Sequence, residues 1–314
     1  MTSTIDRQAI TYSGHGGYDV IAVTTRAVRP PAAGEVRIRV TAAAVNPTDI
    51  LFRDPGQGDR PPPLTPGMDA AGIVESVGSG VDRLAVGDDV MAAVSPGRPD
   101  GGAQAGYIVA PAASVVRKPV NATLVEAATI PMNGLTAFYA LDLAGLSPGH
   151  TLAVSGGAGW LAYLTIVIAK LRGLRIVADA KETEIDLVRG YGADVVVTRG
   201  PGFADAVRGT TPDGVDALLD TALLGEAAFP AIRDDGVYIP VRGWRESTQT
   251  RIRIRPVLVP NVLGRTEWLE ALRELVESGD IVPRVAAEYA PDQVAVAQRS
   301  LLAGGVRGRP VLLF

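Results

Sequence analysis

Residues 151–162 read Thr-Leu-Ala-Val-Ser-Gly-Gly-Ala-Gly-Trp-Leu-Ala, and they constrain the fold more than any other stretch. An apolar-rich run, 151–155, enters a glycine turn, and Leu161–Leu171 follows with helical character. A strand, a glycine turn and a helix N-terminus together make a phosphate site, because backbone N–H groups point outward there and the helix dipole favours an anion. A second strand is expected at Arg175–Ala178, one βαβ unit later. That context lifts a weak glycine pattern into a dinucleotide-binding hypothesis. Gly156, Gly159 and Ala162 fill the three key spacings, alanine being tolerated where helix and strand pack closely. The expected cofactor contacts are Ser155, Gly156, Gly157, Ala158, Gly159, Trp160 and Leu161. Trp160 is the odd member: an indole directly after the closest-approach glycine either points out of the turn or crowds the pyrophosphate. The competing reading is a plain strand–helix turn with no ligand.

A chain of 314 residues is long enough for two domains, and 47% hydrophobic with 20% charged residues is ordinary for a globular protein. A net charge of −4 and the lack of any Lys/Arg-rich run argue against a nucleic-acid partner. Arg251-Ile-Arg-Ile-Arg255 alternates like a strand, with its charges on one solvated face. There is no cysteine, so disulfides, thiolate nucleophiles and thiolate–zinc sites are excluded, and His15 and His150 are too few for a histidine-rich metal site. No metal is expected. No apolar run reaches membrane-spanning length and no signal-peptide pattern is present, so the expectation is a cytoplasmic protein with no membrane partner.

The first ~120 residues are rich in short β-type runs, glycine and proline. Strands are expected at Val36–Ala43, Ala70–Val77, Val90–Val94, Tyr107–Val109 and Val115–Arg117, with loops at Asp54–Pro66 and Ser95–Gly102. After about Leu124 the rhythm changes to alternating helix and strand, as in a parallel, doubly wound sheet. Helices are expected at Leu135–Ala144, 161–172, 182–190, 203–208 and 225–232, and strands at 151–155, 175–178, 194–198, 215–220 and 236–241. A helix at 266–278 ends at Gly279, and the tail 284–314 holds one strand, a helix at 291–303 and a last strand at Val311–Phe314.

Several blocks in order now carry a resemblance. Pro66-Gly-Met-Asp-Ala-Ala-Gly-Ile-Val-Glu-Ser-Val-Gly-Ser-Gly80 and Val86-Gly-Asp-Asp-Val-Met91 resemble the β domain of medium-chain dehydrogenases/reductases. Asn133-Gly-Leu-Thr-Ala137, Leu146-Ser-Pro-Gly149, Tyr191-Gly-Ala-Asp194, Asp213-Gly-Val-Asp216 and Gly304–Leu313 resemble the rest of that family's chain. Within it, Ala44-Val-Asn-Pro-Thr-Asp49 is similar to the signature of the zinc-free quinone oxidoreductase branch. Asn46 stands where zinc enzymes place a cysteine ligand, and Met68-Asp69 where they carry histidine and glutamate. The resemblance implies an α/β architecture. A GroES-like β-barrel domain would span 1–124 and be completed by 284–314, a Rossmann-type doubly wound parallel sheet domain would span 125–283, and the active site would lie in the cleft between them.

It also implies a chemistry: without a Lewis acid, hydride transfer to a quinone or α,β-unsaturated carbonyl is easier than oxidation of an alcohol. By resemblance, Asn46 donates an amide N–H to substrate or nicotinamide, Thr136 faces the nicotinamide, and His15, in a loop bordering the cleft, is a candidate proton donor. Each has a plainer alternative: a turn-capping Asn before Pro47, a helix-start hydroxyl bonding backbone, and an exposed loop histidine. Tyr12 and Trp244 either line the cleft or only pack, and His150 is structural. The family's acidic ribose-binding position falls on Ala180, followed by Lys181, and Arg199 follows the third strand. The expected cofactor is therefore NADPH, with Lys181 and Arg199 facing its 2′-phosphate. Asp179 sits one residue early and, by alternation along a strand, faces away from the ribose. Leu51, Gln104 and Gly106 depart from residues usual in relatives and leave the substrate class open. An enoyl reductase for one specialised biosynthetic intermediate, or a fold relative that binds cofactor without redox chemistry, remain alternative readings. Relatives imply a homodimer.

Overall fold

The computed structural model describes residues 3–54, 62–244 and 250–314, so most of the loop expected at Asp54–Pro66 lies outside the described residues. The chain divides into two compact units, Met1–Met132 with Leu263–Phe314, and Asn133–Val262.

The first unit begins with β1 (Ile5–Tyr12) and β2 (Ile21–Val28), which pair antiparallel over their full lengths as a two-stranded ribbon. Neither strand was expected, because β1 is polar from Asp6 to Gln8 and then buried on both faces from Ala9 to Tyr12, so period two is lost. Next come β3 (Glu35–Ala44), α1 (Pro47–Leu51), β4 (Asp69–Val77), β5 (Asp89–Ala93), β6 (Tyr107–Pro111), β7 (Val115–Arg117) and the short α2 (Leu124–Ala127). The alternating Val36, Ile38 and Val40 of β3 enter a core with Val74, Val90, Ile108 and Val115, all buried. Arg37, on the opposite face, is also buried and is held by Glu75 through a bidentate pair at 2.6 and 3.0 Å.

α3 (Pro131–Ala144) starts four residues earlier than the sequence predicts, with Pro131 at its first position, where a missing N–H costs nothing. The second unit then alternates: β8 (Thr151–Ser155), α4 (Trp160–Leu171), β9 (Arg175–Ala180), α5 (Ile185–Gly190), β10 (Val195–Thr198), α6 (Phe203–Thr210), β11 (Val215–Asp220), β12 (Ile232–Pro240) and β13 (Arg253–Ile254). A 3-10 helix at Gly225–Ala231 replaces the helix expected there, with Pro230 inside it. All sheet pairings are parallel, in the order β10-β9-β8-β11-β12-β13. β8, first in sequence, is central; the chain winds one way through β9 and β10 and the other way through β11 to β13. This is the doubly wound order, and its switch point falls beside the C-terminal end of β8. The core beneath gathers Ala153, Val177, Leu218, Phe203, Ile232 and Tyr238.

The chain returns to the first unit with α7 (Thr266–Glu277), β14 (Val285–Tyr289), α8 (Val294–Leu302) and β15 (Arg309–Leu313). α7 buries Leu269, Leu272 and Val276 on one face. The Asn121 amide donates to the Val276 carbonyl at 3.0 Å and fastens this helix to the segment after β7. β15 pairs antiparallel with β3 and parallel with β14, which closes a seven-stranded sheet.

Candidate cofactor and active-site residues

The glycine turn leaves β8 at the switch point. Gly156 has φ +71°, and a Cβ there would lie 2.5 Å from Thr221 Oγ1. A Cβ on Gly157 would lie 2.5 Å from the Asp179 carbonyl oxygen. Bare glycines are therefore required where the turn passes between the ends of β9 and β11. Gly159 caps α4 in extended conformation, so the first N–H groups of α4 face the turn. This cradle fits a pyrophosphate.

Ser155 and Asp220 are register partners on β8 and β11. The Ser155 hydroxyl donates to Asp220 Oδ1 at 2.6 Å and accepts from the Ala222 N–H at 3.0 Å, while the Thr221 hydroxyl donates to the Ser155 carbonyl at 2.6 Å. Asp220 also accepts from the Tyr238 hydroxyl at 2.6 Å and the Gly225 N–H at 3.0 Å. Burial, with Asp220 beside it, raises the Tyr238 hydroxyl far above the usual phenol range. Ser155 is thus fully buried and locks the turn's entry, and its hydroxyl is committed to this network.

Trp160 is buried, its ring stacked on Tyr163 at 5.4 Å; Tyr163 in turn meets Tyr191 edge-on at 4.7 Å. The indole is taken up by packing. Ala158 is buried and Leu161 partly so.

At the end of β9, Ala180 is buried and Lys181 exposed. Arg199, just after β10, donates its backbone N–H to the Ala180 carbonyl at 2.8 Å. Alternation along β9 would turn Asp179 away from this edge. Instead its buried carboxylate accepts from the Gly157 N–H at 3.1 Å and from Arg199 Nε at 3.0 Å. The turn, Asp179 and Arg199 form one connected group.

In the first unit, Asn46 is the residue before α1, with Pro47 at the first helical position. It is fully buried, and its backbone N–H donates to Asp49 Oδ2 at 2.8 Å. Its side-chain amide donates to Asp69 Oδ2 at 2.6 Å and its carbonyl accepts from Arg309 Nε at 2.8 Å. Asp69 also accepts from the Met132 N–H at 2.5 Å. Asp49 accepts from the Gly67 N–H at 3.1 Å and from Gln104 Nε2 at 3.0 Å, so Gln104 is a buried donor here. Burial pushes both carboxyls up to about 7, against the pull of these donors and Arg309, and burial lowers Arg309 to about 10. In the sequence Arg309 is marked only by its place in the C-terminal block Gly304–Leu313. The only signal for Gln104 was its departure from the family's aromatic.

Thr136 is nearly buried in the second turn of α3. His15 is exposed; its neighbour Gly16 is pinned to Arg53, which donates through Nη1 to the Gly16 carbonyl at 3.1 Å and accepts from the Gly16 N–H at 3.0 Å. Tyr12 is buried, its hydroxyl donating to the Asp49 carbonyl at 3.0 Å and accepting from Gln298 at 2.8 Å. Trp244 packs against Tyr238 and Phe229. His150 Nδ1 accepts from the Ser147 N–H at 3.2 Å, in the turn before β8. Among the described residues, no three His, Cys, Asp or Glu side chains gather as a metal site, and no helix is long and apolar enough to cross a membrane.

The family model for the alcohol dehydrogenase GroES-like domain matches residues 32–120, and that for a zinc-binding dehydrogenase matches residues 191–312. The 2-methylene-furan-3-one reductase of Solanum lycopersicum is 30% identical, over 98% of this chain and 79% of the relative. The chloroplastic NADPH-dependent alkenal/one oxidoreductase of Arabidopsis thaliana is 31% identical, over 89% of this chain and 72% of the relative. A mycobacterial structure complexed with NADPH superimposes with a TM-score of 0.86 at 27% identity, covering 98% of this chain and 100% of that one. With a GroES-like segment, a doubly wound sheet, a glycine turn at its switch point and relatives of this kind, the chain belongs to the medium-chain dehydrogenase/reductase superfamily, in its branch of quinone and alkenal oxidoreductases.

Proposed function

We propose that this chain is a zinc-independent oxidoreductase that transfers a hydride from NADPH to a quinone or an α,β-unsaturated carbonyl. The observation that carries the reading is the glycine turn at the switch point of the second unit's sheet, where the neighbouring strand ends would clash with any Cβ at Gly156 or Gly157. Relatives named as an NADPH-dependent alkenal/one oxidoreductase and a furanone reductase support the reaction class.

NADPH supplies the hydride. In this proposal the turn Gly156, Gly157, Ala158, Gly159, Trp160 and Leu161 lies against the pyrophosphate, Gly157 and Gly159 through their lack of a side chain because their N–H groups are held by Asp179 and by the Gly156 carbonyl, with the α4 N-terminus offsetting the charge. Ser155 holds the turn in place through Asp220. Lys181 and Arg199 supply positive charge for the 2′-phosphate. On the reaction side we assign Asn46, Thr136 and His15. Asn46 is held in one orientation by Asp69 on one side and Arg309 on the other, and its assignment to the reaction side rests on the family resemblance. His15, exposed on its loop, is the candidate proton donor to the reduced product. We assign the protein to the cytoplasm as a homodimer, the latter tested by sedimentation.

The test is NADPH oxidation against a panel of quinones and enones. Turnover of members of either class supports the proposal. Turnover of one particular enone alone favours a specialised enoyl reductase. NADPH binding without turnover of any member overturns the redox assignment.

A further inference from the structure

Asp179 is an unusual residue to find against a phosphate turn. Its carboxylate is nearly inaccessible, with a side-chain exposure of 3%, yet it lies at the end of β9, the strand end where an acidic residue selects the ribose hydroxyls of NADH. One oxygen, Oδ1, shares the Gly157 N–H with the Asp179 backbone carbonyl, each at 3.1 Å. The other, Oδ2, is taken by Arg199 Nε at 3.0 Å. Arg199 is anchored a second time through its own N–H, on the Ala180 carbonyl at 2.8 Å. Its two Nη groups form no hydrogen bond to any described residue, and its side chain is 35% exposed. The guanidinium is thus oriented at Nε, with its outer donors open to solvent.

Two opposite signals for cofactor choice therefore sit on one edge, and the ion pair joins them. A free carboxylate here would accept ribose hydroxyls and repel a 2′-phosphate. A carboxylate neutralised by Arg199 does neither, and it aims the guanidinium's remaining donors outward, in the fork geometry that suits phosphate.

We propose that the Asp179–Arg199 pair is the cofactor-discriminating device of this chain: Arg199 withholds Asp179 from the ribose hydroxyls of NADH and is itself positioned by Asp179 to take the 2′-phosphate of NADPH. The proposal rests on reading the glycine turn as the NADPH site. It predicts a latent preference for NADH that appears when the arginine is removed.

The test is equilibrium binding of NADPH and of NADH by fluorescence titration, with no substrate present, for wild type, Arg199→Ala, Arg199→Lys and the double variant Arg199→Ala/Asp179→Ala. Losing a charge-assisted contact should weaken NADPH by roughly tenfold or more in Arg199→Ala. In the same variant NADH should bind several-fold more tightly than to wild type. Arg199→Lys should keep the wild-type order of the two cofactors, because a charge still faces Asp179. The double variant should lose the gain in NADH and recover part of the NADPH affinity, since the repelling carboxylate is gone. Equal weakening of both cofactors in Arg199→Ala would mean a purely structural pair and overturns the proposal, as does an NADH gain that survives in the double variant. Wild type binding neither nucleotide overturns the site reading itself and this proposal with it. Wild type binding NADPH, with Arg199→Ala leaving both affinities unchanged, overturns this proposal alone.

Discussion

Replacing Arg309 with methionine tests how the buried Asn46 cluster is held together. Arg309 is buried, its Nε donates to the Asn46 carbonyl, and its charge offsets Asp49 and Asp69, both fully buried. Methionine fills a similar volume but leaves two carboxyls without a cation. Breaking a buried charge cluster by deleting one partner costs about 3–5 kcal/mol. At about 2–4 °C per kcal/mol for a folding unit of this size, the melting temperature should fall by roughly 6–20 °C. The sign of the pH dependence follows from the carboxyls. Burial raises Asp49 and Asp69 to about 7 in the folded state. A raised folded pKa contributes stability that is fully present below the unfolded value, about 4, and lost as pH rises through the folded one. Arg309 opposes that loss at the alkaline end. The methionine variant should therefore be hurt more at about pH 8 than at about pH 5.5, by up to about 1.4 kcal/mol per pH unit above about 7 for each carboxyl that keeps its proton there. Calorimetric melts at both pH values read this directly. A variant melting within about 2 °C of wild type at both, or losing more at the acid end, would mean that Arg309 does not hold the two carboxyls.

Three further outcomes follow from the second unit. Gly157→Ala places a Cβ 2.5 Å from the Asp179 carbonyl, so NADPH affinity should fall about tenfold or more in a fluorescence titration; an unchanged affinity would show that the turn yields. Ser155→Ala leaves Asp220 without one donor and the Ala222 N–H without its acceptor, and should cost about 1–3 kcal/mol in urea unfolding. Trp160→Leu removes a buried indole stacked on Tyr163, and should destabilise by roughly 2–4 kcal/mol while changing NADPH affinity less than about threefold, since the ring is taken up by packing. A large loss of affinity with little loss of stability would instead place the indole on the cofactor.

The second unit was the more legible part of the molecule. Its strands are short apolar runs between turn residues, and β8, β11 and the 151–162 block appear where period and glycine placement put them. The ribbon of β1 and β2 was hidden because half of β1 is buried on both faces and half is polar, so no alternation marks it. α3 begins at Pro131, where proline suits a helix start, four residues before the Leu135 start expected from the sequence. The site residues were legible as types but not as partners. Arg309 lies 263 positions from Asn46, and their hydrogen bond exists only because β15 returns beside β3. Gln104 stood out for what it was not, and its buried bond to Asp49 explains its presence. Simple alternation along β9 turns Asp179 away from the ribose. That rule fails at a strand's last residues, where a side chain can reach a neighbouring turn, and the Gly157 N–H draws the carboxylate there.

Isotope transfer reads out hydride transfer from the nicotinamide. NADPH carrying deuterium at the transferable position of the nicotinamide is incubated with the protein and an enone that it consumes, and the reduced product is analysed by mass spectrometry and NMR. One deuterium per product molecule is expected, on the former alkene carbon β to the carbonyl, with matching loss from the cofactor. Reduced product without deuterium, or no reduced product from any enone or quinone in the presence of bound NADPH, would contradict hydride transfer from NADPH.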